Sequence, residues 1–412
     1  MPVNTAAAVS LNEWTEQRAV RDCLQTFTRE KQWINEIQLQ LCRVPAPTFQ
    51  EAERAQWFAG QFVGLGWETS IDRAGNVLAT LGGPPYVALT AHLDTVIAPR
   101  SKDDIAVDAD GRFHGPGVSD NGAGLAALLA MARVWKTYPK PPGSGEETPG
   151  PGLLLVANVG EEGEGNLLGM RYLLKQSPLA RRIQAFVVAD GANTDHITTR
   201  ALGSRRYEAI FSGPGGHSWS DFGVANPVHA LCRAVALFAE TRLDGTPKSA
   251  FNVGLIEGGS SVNTIAQSAR AKVDIRSESN PKMDELVDLL QGAIERAREF
   301  ENQRATGGRI ASKLKEIGSR PAAALPEDAA ILRYARAVDA HLGIRSHLDC
   351  SSTDANIPLS LGIPAIAIGA GGAGGGAHTS QEWFKPEGRD LGLKRIFLLL
   401  LLLLYNNGAR KA

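Results

Sequence analysis

Short apolar runs recur along the chain, and several of them stop at an imidazole or a carboxylate. The clearest is Val87–Thr95, VALTAHLDT, in which a strand-like VALTA ends at His92 and Asp94. Aliphatic and β-branched residues in such a short run favour a strand. In an open α/β sheet, the strand ends face the crevice where ligands bind. The same pattern returns in LLLVANVGEEGEG, which runs into Glu161 and Glu162, and in AFVVADGAN, which ends at Asp190. A further apolar run, Ile363–Ile368, opens into GAGGAGGGAHTSQEW, which carries His378.

Helical spacing separates these runs. Residues 12–42 carry helix formers with apolar positions at Trp33, Ile37 and Leu41, then break at Pro45 and Pro47. Glu51–Leu65 predicts a second helix, stopped by Gly64 and Gly66, before strands at Trp67–Ile71 and Asn76–Leu81. Asp120 stands just ahead of a small-residue helix, Gly122–Val134. Helices alternating with strands predict a layered α/β domain.

Beyond Leu202 the texture changes. Strands at Tyr207–Phe211, Phe251–Ile256 and Ala269–Ile275, with helices at Asn226–Glu240 and Met283–Asn302, predict a compact α+β module inserted in the larger domain. The expected division is residues 1–202 and 307–412 for the larger domain and 203–306 for the insertion. Leu314–Ile317 then resumes the first domain, Asp328–His341 is helical and Ser351–Asn356 (SSTDAN) is a polar loop. Lys140–Gly152, rich in Pro, Gly and Ser, predicts a surface loop.

A length of 412 residues agrees with two domains. A net charge of −1 gives no electrostatic reason to expect nucleic acid or an anionic membrane as partner. The four cysteines are scattered without a CxxC pair, which argues against a structural cysteine zinc site and gives no indication of a disulfide framework. Ile396–Tyr405 is nearly all leucine, but its ten residues are about half of a bilayer crossing, so a buried C-terminal helix is expected. The first residues lack the basic and apolar segments of a secretory signal, and a cytoplasmic location is expected.

Five side chains at strand or loop ends suit one chemistry: His92, Asp120, Glu162, Asp190 and His378. Two imidazoles and three carboxylates form a nitrogen and oxygen donor set for zinc, with manganese or cobalt as alternatives. Five ligands exceed the needs of one catalytic zinc and fit two metals sharing a carboxylate. Asp94 can fix the tautomer of His92, and Glu161, adjacent to a ligand, is left to act as base toward a water. The glycine-rich run before His378 lacks the Lys-Ser/Thr of a phosphate-binding loop.

AHLDTV, GVSDNGAG, GEEGEG, VADGAN, GGHSW and AHTSQEW, in this order from residue 91 to 383, resemble the metallopeptidase M20 family. That family holds aminotripeptidases, dipeptidases, carboxypeptidases and N-acyl amino acid deacylases. The resemblance implies a mixed-sheet zinc-exopeptidase-like catalytic domain with an inserted lid or dimerisation domain. Asp120 would bridge two metals, His92 and Asp190 would complete one site, and Glu162 and His378 the other. Asp94 would orient His92, and Glu161 would be the general base and acid. His217, Asn263 and Arg276 match lid positions that hold substrate, with His217 reaching a partner subunit's site in a homodimer. Ala266 departs from the family, which often has proline there. The implied activity is hydrolysis of small peptides, aminopeptidase- or dipeptidase-like, with N-acyl amino acid deacylation as the alternative. A non-catalytic binding protein on this fold would lack a ligand or the base, and none is missing.

Overall fold

Residues 5–138 and 151–406 are described in a computed structural model, with side chains from residue 11 onward. The loop expected at 140–152 lies almost wholly outside the described residues. The chain divides into two compact units, 1–201 with 324–412, and 202–323.

In chain order the strands of the larger unit are β1 (Glu68–Ile71), β2 (Val77–Leu81), β3 (Tyr86–His92), β4 (Gly152–Asn158), β5 (Ile183–Ala189) and β6 (His196–Ala201). The second unit contributes β7 (Gly203–Ser212), β8 (Ser249–Gly258), β9 (Ser268–Ser277) and β10 (Ala311–Arg320). The chain then returns with β11 (His347–Ser351) and β12 (Ala365–Ile368). The large sheet runs β1-β2-β4-β3-β5-β12-β6, with β11 also paired to β6. β3 lies parallel to both β4 and β5, and β12 is parallel to β5. Four strands therefore end on the same edge, the one that carries His92, the glutamate pair, Asp190 and the start of the glycine-rich loop. Every residue of β3 and β4 is buried, as expected of parallel strands covered on both faces.

Helices α1 (Lys31–Cys42) and α2 (Gly122–Thr137) belong to this unit, and α2 packs on β3. In the inserted unit, α3 (Pro227–Ala239) and α4 (Asn280–Arg304) cover one face of the antiparallel sheet β8-β9-β7-β10. Phe211, Phe238, Val273, Ile275, Leu286 and Leu290 form its core. Asn226 and Ser279 cap the two helices, and each helix carries a proline in its first turn. In the larger unit, α5 (Ala330–Leu342) neighbours α6 (Arg389–Tyr405). The leucine run is buried in α6, and Arg395 forms a two-pronged ion pair with Asp339 at 2.6 Å per contact. No helix among the described residues is long and apolar enough to cross a membrane.

The boundary expected at 306 falls instead at 323. Leu314 and Ile317, expected to resume the first domain, lie in β10, which pairs antiparallel with β7 from Ala311 to Arg320. An alternating strand reads alike for either sheet, and the partner that claims it lies about a hundred residues away in sequence.

Candidate metal centre

The expected ligands of the larger unit converge. His92 Nε2 lies 3.1 Å from Asp120 Oδ1 and 3.7 Å from Asp190 Oδ1. His378 Nε2 lies 3.2 Å from Asp120 Oδ2 and 2.7 Å from Glu162 Oε1. Asp120 thus turns one oxygen toward each imidazole. His92, Asp120 and Glu162 offer donor atoms within 4.8 Å of one another. His378 has a φ of 65°, a left-handed backbone unusual outside glycine. It sits in the turn between two short paired strands, Ala373–Gly375 and Trp383–Lys385, so the glycine-rich stretch is a hairpin that aims an imidazole.

The electrostatics call for positive charge. Burial lowers the proton affinity of His92, but the hydrogen bond to Asp120 and the nearby carboxylates of Asp190 and Asp94 outweigh it and hold the group well above its usual value. Hydrogen bonds to Asp120 and Glu162 push His378 up to about 10. Burial pushes the Asp120 carboxyl up, but the two imidazoles overcome this and hold it below the usual carboxylate range. Three carboxylates facing two ring nitrogens at these distances are donor chemistry for divalent metal, which would displace the imidazole protons.

Asp94 meets His92 through its backbone and the glutamate pair through its side chain. His92 Nδ1 meets the backbone carbonyl of Asp94 at 3.0 Å, while the carboxylate is 3.6 Å away. That carboxylate accepts the backbone N–H groups of Glu161 and Glu162, both at 2.9 Å, and the hydroxyl of Thr48 at 3.0 Å. Asp94 therefore ties the end of β3 to the glutamate pair. Buried Arg54 adds support by donating to the carbonyl of Leu93 at 2.6 Å.

The SSTDAN stretch is a loop whose polar groups point inward. Asp354 is fully buried and accepts from Asn158 Nδ2 at 2.7 Å, and Asn158 is the register partner of His92 across β3 and β4. Burial raises the Asp354 carboxyl to about 7, despite His92 and the Asn158 hydrogen bond pulling it down. Sequence reasoning missed this residue because no apolar strand end marks it. The one available signal was an acid between small residues just ahead of the short helix Asn356–Ser360.

The remaining candidates belong to the inserted unit. His217 is exposed, and its strand pair with Thr264 sets it beside the Asn263 loop, where Ser218 N–H donates to the carbonyl of Asn263. Asn263 is exposed and accepts from Ser261 Oγ at 2.7 Å. Arg276 pairs with Asp274 at 2.7 Å, with its side chain 42% exposed.

Residues 88–401 match Peptidase family M20/M25/M40. The chain belongs to this family. M20 proteins of solved structure share its fold. A tripeptidase from Staphylococcus aureus is 20% identical with a TM-score of 0.73, covering 91% of this chain and 98% of its own. Aminopeptidase PepT from Bacillus cereus is 21% identical with a TM-score of 0.69, covering 90% of this chain and 98% of its own. A succinyl-diaminopimelate desuccinylase from Paracoccus denitrificans is 28% identical over 200 residues, 45% of this chain and 50% of that protein. The chain thus spans about half the length of this curated relative. As an M20 protein the chain belongs to a metal-dependent hydrolase family, and His92, Asp120 and Glu162 supply a candidate metal group.

Proposed function

We propose that this M20 hydrolase cleaves an amide bond in small peptides, as a di-metal enzyme of aminopeptidase or dipeptidase type. The observation that carries this reading is Asp120, which turns a separate carboxylate oxygen to each of two imidazoles. His92 and Asp190 would join one of those oxygens, and Glu162 and His378 the other. A pair of zinc ions, or manganese or cobalt, would polarise the scissile carbonyl there and make the attacking water more acidic.

Glu161 takes a proton from the water and delivers it to the departing amine nitrogen, which makes it base and then acid. Asp94 fixes Glu161 and Glu162 by their backbone N–H groups, so the base and a ligand keep a constant separation. On the inserted unit, His217 Nδ1 accepts N–H groups from Trp219 and Ser220, which leaves the ring proton on Nε2. That N–H suits a developing oxyanion, supplied to a neighbouring subunit's site if the inserted unit forms a homodimer. Asn263 and Arg276 hold the substrate, Arg276 exchanging Asp274 for the substrate carboxylate.

The similarity to a desuccinylase favours a second reading, N-acyl amino acid deacylation. Metal analysis and a substrate panel of dipeptides, tripeptides and N-acetyl and N-succinyl amino acids, with zinc- or manganese-loaded protein, separates the two. Peptides with a free amino terminus should be cut fastest, with two metals per chain. Turnover confined to N-acyl substrates would replace the peptidase reading, and a chain that binds no divalent metal would remove both.

A further inference from the structure

We infer that Asn121 and Glu382 are positioning residues that lock together the three segments carrying Asp120, Asp190 and His378. Asn121 is 1% exposed and follows Asp120 directly. Its Nδ2 donates to the carbonyl of Ala189 at 3.0 Å, and its Oδ1 accepts the N–H of Gly191 at 3.1 Å. One amide thus grips the backbone on both sides of Asp190. The same Oδ1 accepts the N–H of Gly124 at 3.0 Å, which anchors the grip to the first turn of α2. Glycine is required at 124, because a Cβ there would lie 2.3 Å from both Ala189 O and Asn121 Oδ1.

Glu382 makes the second connection, and it is 3% exposed. Its Oε1 accepts the N–H groups of Ser119 and Asp120, and its Oε2 that of Gly117, all at 2.8 Å. Its backbone carbonyl also accepts the N–H of Gly115 at 3.0 Å. Glu382 stands at the end of the turn that carries His378, so it fastens that turn to the Asp120 loop. On the far side of the loop Gln38 donates to the carbonyl of Val118, and the Arg389 guanidinium donates to Gln38.

The two connections are not interchangeable. Asn121 spans Asp120 and Asp190, the pair that faces His92. Glu382 spans Asp120 and His378, the pair that faces Glu162. Each clamp therefore governs one half of the centre, and the geometry of both halves is set by the protein before a metal arrives. Groups that orient ligands in this way typically change metal affinity about 10–100-fold when removed. The inference rests on the two-metal reading given above.

The test is a titration of metal-stripped protein with Co²⁺, in competition with a chromophoric chelator, for wild type, Asn121→Ala and Glu382→Gln. Melting curves of the metal-free proteins run alongside. Wild type should bind two ions. Each variant should keep one affinity near the wild-type value and lose about 10–100-fold in the other. The visible spectrum of the surviving Co²⁺ site should differ between the two variants. If either substitution prevents folding, Asn121→Ser and Glu382→Asp replace them with the same expectation. Variants that bind both ions as wild type does would overturn the inference. So would variants that lose both sites equally in step with a lower melting temperature, since that marks a general structural role. Wild type that binds fewer than two ions would sink the two-metal reading itself, whatever the variants do.

Discussion

The two units differ in how far they bury their reactive side chains, although His378 of the larger unit is itself 52% exposed and Asp120 and Asp190 are about one-fifth exposed. In the larger unit His92, Asp94, Glu161 and Glu162 are between 0% and 7% exposed, and backbone or side-chain partners hold them in place. In the inserted unit His217 and Asn263 are exposed, on a short strand pair and the loop beside it. Charge interactions are several-fold stronger away from water, so a cluster with mostly buried members can bind cations more strongly than isolated surface groups. On the proposed function the two units have separate tasks: the larger unit would build the centre in advance, and the inserted unit would present substrate contacts. Substitution of a ligand in the first should change metal content, and substitutions in the second should change turnover or substrate affinity alone.

The strongest challenge to that division is Asp120→Ala, which removes the carboxylate shared by both imidazoles. Metal content should fall below one ion per chain, and hydrolysis by at least about three orders of magnitude, since both positions lose a ligand. Glu161→Gln tests the same region without touching a ligand. It should retain two ions per chain while kcat falls about 10²–10⁴-fold. Undiminished hydrolysis by that variant would assign the base elsewhere.

His217→Ala probes the other unit. We expect kcat to fall about a hundredfold, as for loss of one oxyanion donor. Metal content should stay at the wild-type value, and stability should change by no more than about 0.5 kcal/mol, because the side chain is exposed. A loss of metal would break the contrast between the units. Arg276→Ala should act more weakly, raising KM about tenfold at unchanged kcat, as expected for one carboxylate contact. Its pair with Asp274 is substantially exposed, so little stability is lost with it.

The sequence carried most of the larger unit because its apolar strands end in the residues that matter. VALTAH, LLLVAN and AFVVA became β3, β4 and β5, with their carboxyl ends on one edge as the parallel pairing requires. The helices also lay near their expected places, as Asn226–Glu240 became Pro227–Ala239 capped by Asn226. What stayed hidden depends on distant partners. β10 was assigned to the wrong unit because pairing with β7 is not written in β10 itself. Asp354, Asn121 and Glu382 act through backbone groups or amides remote in sequence, and local patterns do not record such contacts.

Asp354 offers the smallest effect and a direct measure of burial next to the centre. Its carboxyl lies at about 7 in the folded chain, against an ordinary value near 3.8. A carboxyl raised on folding favours the native state while protonated. That contribution is fully present below about pH 4 and is lost as the pH rises through about 7. The Asn158 hydrogen bond to Asp354 can be kept by an asparagine, whose Oδ1 also accepts. Asp354→Asn should therefore melt close to wild type at pH 5 and gain a few degrees on it by pH 8.5, measured on metal-free protein. Asp288→Asn, on the exposed side of α4, serves as the control and should leave the Tm–pH curve of wild type in place. Parallel curves for Asp354→Asn and wild type would mean that water reaches the carboxylate, and the sealed surroundings ascribed to the larger unit would then stop short of this residue.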